Sequence, residues 1–116
     1  MILIDTFAGT LDVWQNGKQH KDGLISTRNE TSLIANVHDP SNYLKTADNL
    51  TYSWYNKTHF VANTSTEVLK VNFTEEGQYY YNVTLYALFN STGVNSTGVI
   101  KNGFFETNVT VKGNGR

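Results

Sequence analysis

Between Gln78 and Phe89 the chain carries no proline or glycine, and its apolar residues fall on alternate positions. Tyr79, Tyr81, Val83, Leu85, Ala87 and Phe89 share one side of an extended strand, and Gln78, Tyr80, Asn82, Thr84 and Tyr86 share the other, because successive strand side chains point to opposite faces. A helix would scatter the same residues around its circumference. β-branched and aromatic types dominate the run, so a central strand with its first set turned to a core is expected. Upstream, Glu67 to Phe73 places Leu69, Val71 and Phe73 inward against Val68, Lys70 and Asn72, and Glu75-Glu76-Gly77 joins the two runs as a turn.

The same period recurs along the chain. Thr6 to Gln15 reads as a long first strand ending at the turn pair Asn16-Gly17, and Lys18 to Asn29 as a polar connection whose Leu24 and Ile25 allow a short edge segment. Thr31 to His38 puts Leu33, Ala35 and Val37 on one face and stops at Asp39-Pro40-Ser41, since proline cannot continue a central ladder. Asn42 to Asn49 forms a loop with Tyr43 and Leu44 as its apolar plug. Leu50 to Tyr55 alternates Leu50, Tyr52 and Trp54 against Thr51, Ser53 and Tyr55, which sends Trp54 into the core. Phe60 to Ala62 is a short edge strand. Asn90 to Gly98, with its near-repeat of Asn-Ser-Thr-Gly-Val, reads as a long flexible loop; Phe105, Thr107, Val109 and Val111 make the last strand, and Gly113 to Arg116 is a tail. About seven strands with no convincing helical window predict an all-β, antiparallel two-sheet sandwich, with a barrel as the alternative. The chain is expected to be one domain over residues 1–116, with its core at about 6–112.

Charge narrows the partners. Nine basic and ten acidic residues are scattered without a block of either sign, for a formal net charge of −1, so neither a nucleic acid nor an anionic membrane surface is expected as a partner. No apolar run approaches the length that spans a bilayer, and Met1-Ile-Leu-Ile-Asp5 is too short for a signal peptide, so the sequence reads as a piece of something longer. Cysteine is absent, which removes disulfides, thiolate zinc sites and thiol catalysis.

The compartment is indicated by asparagine. The sequon Asn-x-Ser/Thr occurs at Asn29, Asn49, Asn56, Asn63, Asn72, Asn82, Asn90, Asn95 and Asn108, nine of the fourteen asparagines. The 22 Ser and Thr residues would place roughly three there by composition alone. The excess points to a secreted or lumenal N-glycoprotein. The alternation that turns Phe73, Val83 and Val109 inward turns Asn72, Asn82 and Asn108 outward, so these three are expected on the solvent side as glycan sites. Sugars standing over the strands would block face-to-face stacking and favour a monomer.

The segments Tyr52-Ser-Trp54, Val71-Asn-Phe-Thr-Glu-Glu-Gly-Gln-Tyr79 and Val83-Thr-Leu85 resemble the polycystic kidney disease (PKD) domain pattern, a Tyr-x-Trp strand followed by an aromatic-x-x-x-Gly-x-Tyr turn and strand. His38-Asp39-Pro40-Ser41-Asn42-Tyr43-Leu44, ahead of the Tyr-x-Trp strand, is a more specific match and resembles the PKD domain of the premelanosome protein and transmembrane glycoprotein NMB group. The likeness runs from about Thr6 to Val111. It departs at Trp54-Tyr55-Asn56-Lys57-Thr58-His59, where PKD domains usually run Trp-Asp-Phe-Gly-Asp-Gly, so the chain resembles a divergent member. The resemblance implies an immunoglobulin-like β-sandwich in the lumenal part of a single-pass membrane glycoprotein.

Few residues suggest chemistry. His20, His38 and His59 with Asp39 or Asp48 match no metal-ligand spacing, and Asp39, Asp48 and Asn42 are a thin set for calcium, so no metal or other cofactor is expected. Asp39 is expected to cap the turn it begins, and Asp48 to do similar work before the next strand. Glu75 and Glu76, adjacent on a turn, point apart, and no hydrolase or phosphate-loop motif is present, so the chain reads as a non-enzyme. Tyr79 stands where a tyrosine-corner hydroxyl bonds nearby backbone. Trp14, Tyr80 and Tyr86 are candidates for an exposed recognition patch or for ordinary cross-strand aromatic pairing. The functional expectation is a non-catalytic glycosylated ectodomain module, a spacer or protein-interaction unit. A carbohydrate-binding module needs those three aromatics on one face, and a self-assembling domain needs long edges free of glycans and charge.

Overall fold

Nine strands make up nearly all the regular structure of the computed structural model, which describes residues 6–39, 42–89 and 99–113. They are β1 (Thr6–Gln15), β2 (Lys18–Gln19), β3 (Leu24–Ser26), β4 (Glu30–His38), β5 (Asn49–Asn56), β6 (His59–Thr64), β7 (Val68–Asn72), β8 (Gly77–Phe89) and β9 (Val99–Lys112). Among the described residues a 3-10 turn, Tyr43–Thr46, interrupts them. The protein is all-β. Residues 1–5, Pro40 and Ser41, residues 90–98 with the sequons Asn90 and Asn95 and the loop expected there, and residues 114–116 lie outside the described residues.

The strands follow the order β6-β5-β8-β9-β1-β4-β7, with β2 added to β1 and β3 to β9. β1 makes the connection between two halves. Its Thr6 and Phe7 pair in parallel with Asn102 and Gly103 of β9, after which Ala8 to Gln15 pair antiparallel with His38 to Thr31 of β4. The ribbon thereby folds back on itself as a sandwich nearly closed into a barrel. At the crossing the backbones come too close for side chains. A Cβ on Gly9 would run into the Asn36 carbonyl oxygen and stand 2.9 Å from the Phe105 ring, and one on Gly103 would stand 2.9 Å from that same ring. Glycine is what lets β1 leave one sheet for the other.

Two features correct the sequence expectation. Among the described residues there are nine strands where about seven were expected, and the sheet is mixed, because β3 also runs parallel to β9 through Leu24, Ile25 and Ser26 opposite Thr110, Val111 and Lys112. β9 begins at Val99, well ahead of Phe105, and pairs along its length with β8.

The core lies between the halves. Leu11 and Val13 of β1, Leu33 and Ala35 of β4 and Leu69 of β7 meet Tyr52 and Trp54 of β5, Tyr81, Val83 and Leu85 of β8, and Phe105, Val109 and Val111 of β9. Trp54, Leu33, Val83, Leu85 and Val109 have no exposed surface. Phe73 closes one end, its ring 4.8 Å from that of Tyr79 and edge-on to that of Tyr81 at 5.9 Å. With no cysteine to cross-link the layers, burial of these side chains is the main source of stability.

Candidate functional site

The sequons divide by what surrounds each asparagine. Asn49 at the start of β5, Asn63 on β6, Asn72 at the end of β7 and Asn108 on β9 are exposed. They lie on both halves of the sandwich, and Asn63 and Asn72 stand on its two outermost strands. Asn56 is half-buried where β5 turns into β6. Asn29 is half-buried too, its Nδ2 donating to Ser26 Oγ at 2.9 Å. Asn82 corrects the expectation that all three mid-strand sequons face solvent: it holds the outward phase of β8 but is only 7% exposed, and its Nδ2 donates to the Lys57 carbonyl at 3.1 Å. The β5–β6 turn covers it. Asn90 and Asn95 lie outside the described residues.

Asp39 works within its own loop. Its carboxylate accepts the Leu44 N–H at 2.8 Å, its carbonyl accepts the Asn42 N–H at 3.0 Å, and Asn42 sits in the left-handed region at φ 54°. The Asp48 N–H is spent on the Leu88 carbonyl at 2.8 Å. The three histidines lie apart, His20 after β2, His38 at the end of β4 and His59 at the start of β6. Among the described residues no three metal-ligating side chains converge. Glu75 and Glu76 are exposed on the turn before Gly77, whose φ of 151° suits glycine. The Tyr79 hydroxyl donates to the Glu75 carbonyl at 2.9 Å, tying the strand back to this turn.

The three candidate aromatics do not share a surface. Trp14 points outward from β1, whose partner there is β4, whereas Tyr80 and Tyr86 point outward from β8, so they occupy opposite outer faces. Only Tyr86 is well exposed, at 45%; Trp14 and Tyr80 are half-buried. The Tyr80 hydroxyl donates to Glu106, and that bond is the leading cause holding the phenol above its ordinary value. The larger exposed rings are Phe60 at 57% and Phe104 at 55%, and Phe60 packs edge-on to Tyr55 with centroids 5.8 Å apart.

Two of the open grooves among the described residues border the candidate residues. One, of about 480 Å³, runs over Asp12, Trp14, Ile34, Leu44 and Glu67; the other, of about 450 Å³, lies where β1 separates from β9, between His20 and Phe104. In the second, the Thr10 hydroxyl donates to the Asp12 carboxylate at 2.8 Å, on an exposed stretch of β1.

Burial first, and then the charge of Glu67, raise the Tyr52 phenol above its ordinary value of 10.0; burial first, and then Tyr79, do the same for Tyr81. Their folded values exceed their unfolded ones, so the stability they carry is complete below about pH 10 and is lost as pH climbs through the folded values. The urea midpoint is expected to fall between about pH 9 and pH 11, and to fall less steeply in the double variant Tyr52→Phe, Tyr81→Phe. Parallel curves for the two proteins would rule this out.

No protein-family model matches the chain, and no curated protein matches it.

Proposed function

We propose that this chain is a non-catalytic, N-glycosylated module from the extracellular or lumenal part of a membrane or secreted glycoprotein, serving as a spacer or protein-interaction unit. The observation that carries the reading is the density of sequons together with the exposure of Asn49, Asn63, Asn72 and Asn108 on a small sandwich. A chain that met sequons only by composition would hold roughly a third as many. The resemblance to PKD domains favours the same reading, since such modules act as parts of larger ectodomains.

The two other readings lose their distinguishing features. A sugar-binding platform wants aromatic rings on one open face, and Trp14 stands on the opposite face from Tyr80 and Tyr86. Edge-to-edge or stacked self-assembly wants bare edges and dry faces. Here the outermost strands carry exposed Asn63 on β6, and Lys70 and Asn72 on β7. The glycosylated module is therefore expected to be monomeric and to offer partners its loop ends or the face between β1 and β4.

Expression through a eukaryotic secretory pathway tests this. Glycopeptide mass spectrometry should find sugar on the exposed sequons, and sedimentation should give a monomer that begins to associate when Asn63, Asn72 and Asn108 are changed to Gln. Secreted protein with every sequon bare would overturn the proposal.

A further inference from the structure

Lys57 occupies the tight turn between β5 and β6 in the left-handed region, at φ 56°. Two hydrogen bonds moor that turn to β8. The Lys57 N–H donates to the Tyr80 carbonyl at 2.9 Å, and the Asn82 Nδ2 donates to the Lys57 carbonyl at 3.1 Å. Asn82 is flanked in register by Tyr55 on β5 and Glu106 on β9, so with the turn drawn over it little of the side chain reaches solvent. A positive-φ residue that is not glycine or asparagine carries a steric penalty, and persists where its surroundings hold it. Here the hold comes from both backbone polar groups of one residue, the N–H through the Tyr80 carbonyl and the carbonyl through the Asn82 amide.

We propose that Asn82, although it lies in a sequon, is the latch that docks the β5–β6 turn on β8 rather than a glycan acceptor, and that sugar falls on Asn49, Asn63, Asn72 and Asn108. An N-glycan is joined at Nδ2, replacing one of its two hydrogens, and needs open space around that nitrogen. At Asn82 that space holds the Lys57 carbonyl. A chain modified there cannot close the turn, because a bulky hydrated group would have to sit beneath it. At the four exposed asparagines no such conflict arises. The glycan half of this assignment rests on the glycoprotein reading above; the latch half does not.

The two halves are tested separately. In protein made in bacteria, which attaches no such sugar, Asn82→Asp turns the donor into an acceptor facing a carbonyl and is expected to lower Tm by about 3–8 °C. Asn72→Asp and Asn108→Asp, on exposed sites, should stay within about 2 °C of the parent. Should Asn82→Asp fail to fold, Asn82→Ala gives the same comparison more mildly. A Tm for either Asn82 variant that matches the exposed-site variants would overturn the latch. In protein secreted from a eukaryotic host, glycopeptide mass spectrometry should find sugar at the four exposed sites and none at Asn82, and Thr84→Ala, which destroys the sequon, should leave the glycan mass unchanged. Sugar at Asn82 matching that at Asn72 in folded material would overturn the proposal. Bare asparagine at all sites would instead overturn the glycoprotein reading and the glycan half with it, leaving the bacterial result to decide the latch.

Discussion

Trp54→Ala is expected to cost about 3–5 kcal/mol, the range found when a large aromatic side chain is deleted from a packed core. Trp54 has no exposed surface and lies between Ala62 of β6 and Val83 of β8, filling the space between the halves where a disulfide would otherwise brace a sandwich. Its Nε1 donates to Thr64 Oγ1 at 2.8 Å, and Thr64 Oγ1 donates onward to the Thr66 carbonyl at 2.7 Å. The indole therefore packs the core and also fixes the end of an outermost strand. Trp54→Phe separates the two roles: it keeps a ring in place but loses the donor, and should cost about 1–2 kcal/mol. Reversible urea denaturation measures both. A loss below about 1 kcal/mol for Trp54→Ala would show that the tryptophan does not support the core.

The burial of Trp54 was legible in the sequence, and the reason is period. Alternation alone identified Tyr79, Tyr81, Val83, Leu85, Ala87 and Phe89 as one inward row, and all are buried in β8 except Tyr79, which is half-buried against the core. The ends of β1 are also as read, because Asn16 and Gly17 both adopt positive φ and can only form a turn. What period cannot supply is what stands over the outer face. Asn82 has the outward phase, yet a turn remote in the sequence covers it. The last strand reads from Phe105 in the sequence, yet β9 begins at Val99 and holds Gly103 mid-strand, where a side chain would press on Phe7 and Phe105. A close crossing of strands and a chain break select the same residue, and only tertiary structure tells them apart. The parallel pairing of β3 with β9 was likewise invisible, since it is specified by contacts far apart in sequence.

The second large effect concerns a residue the pattern treated as the plain end of a strand. Gln15 is 3% exposed and sits in a knot of hydrogen bonds formed when the chain returns through β2 and β3. Its Nε2 donates to the Ser26 carbonyl at 2.8 Å and to Thr31 Oγ1 at 3.1 Å, with the Asn29 carbonyl at 3.4 Å; its Oε1 accepts from the Ser26 N–H at 3.1 Å and the Ser26 hydroxyl at 3.2 Å. Thr31 has no exposed surface, and among the described residues every buried polar side-chain atom has a partner. Gln15→Leu keeps the size but strands several of these groups at once, so it should cost about 2–4 kcal/mol, more than a single neutral hydrogen bond contributes. Gln15→Glu is the sharper variant. Its carboxylate would face the Ser26 and Asn29 carbonyls without a proton to give, which disfavours the charged form and raises its folded-state pKa above the unfolded value of about 4.3. The protonated form can donate, so stability should be greatest below that value and fall as pH rises through the folded pKa. The Gln15→Glu protein is therefore expected to be less stable at pH 7 than at about pH 4 once the parent's own pH dependence is subtracted, by urea midpoints at the two values. A variant whose deficit is the same at both would mean that the knot does not depend on the Gln15 donor.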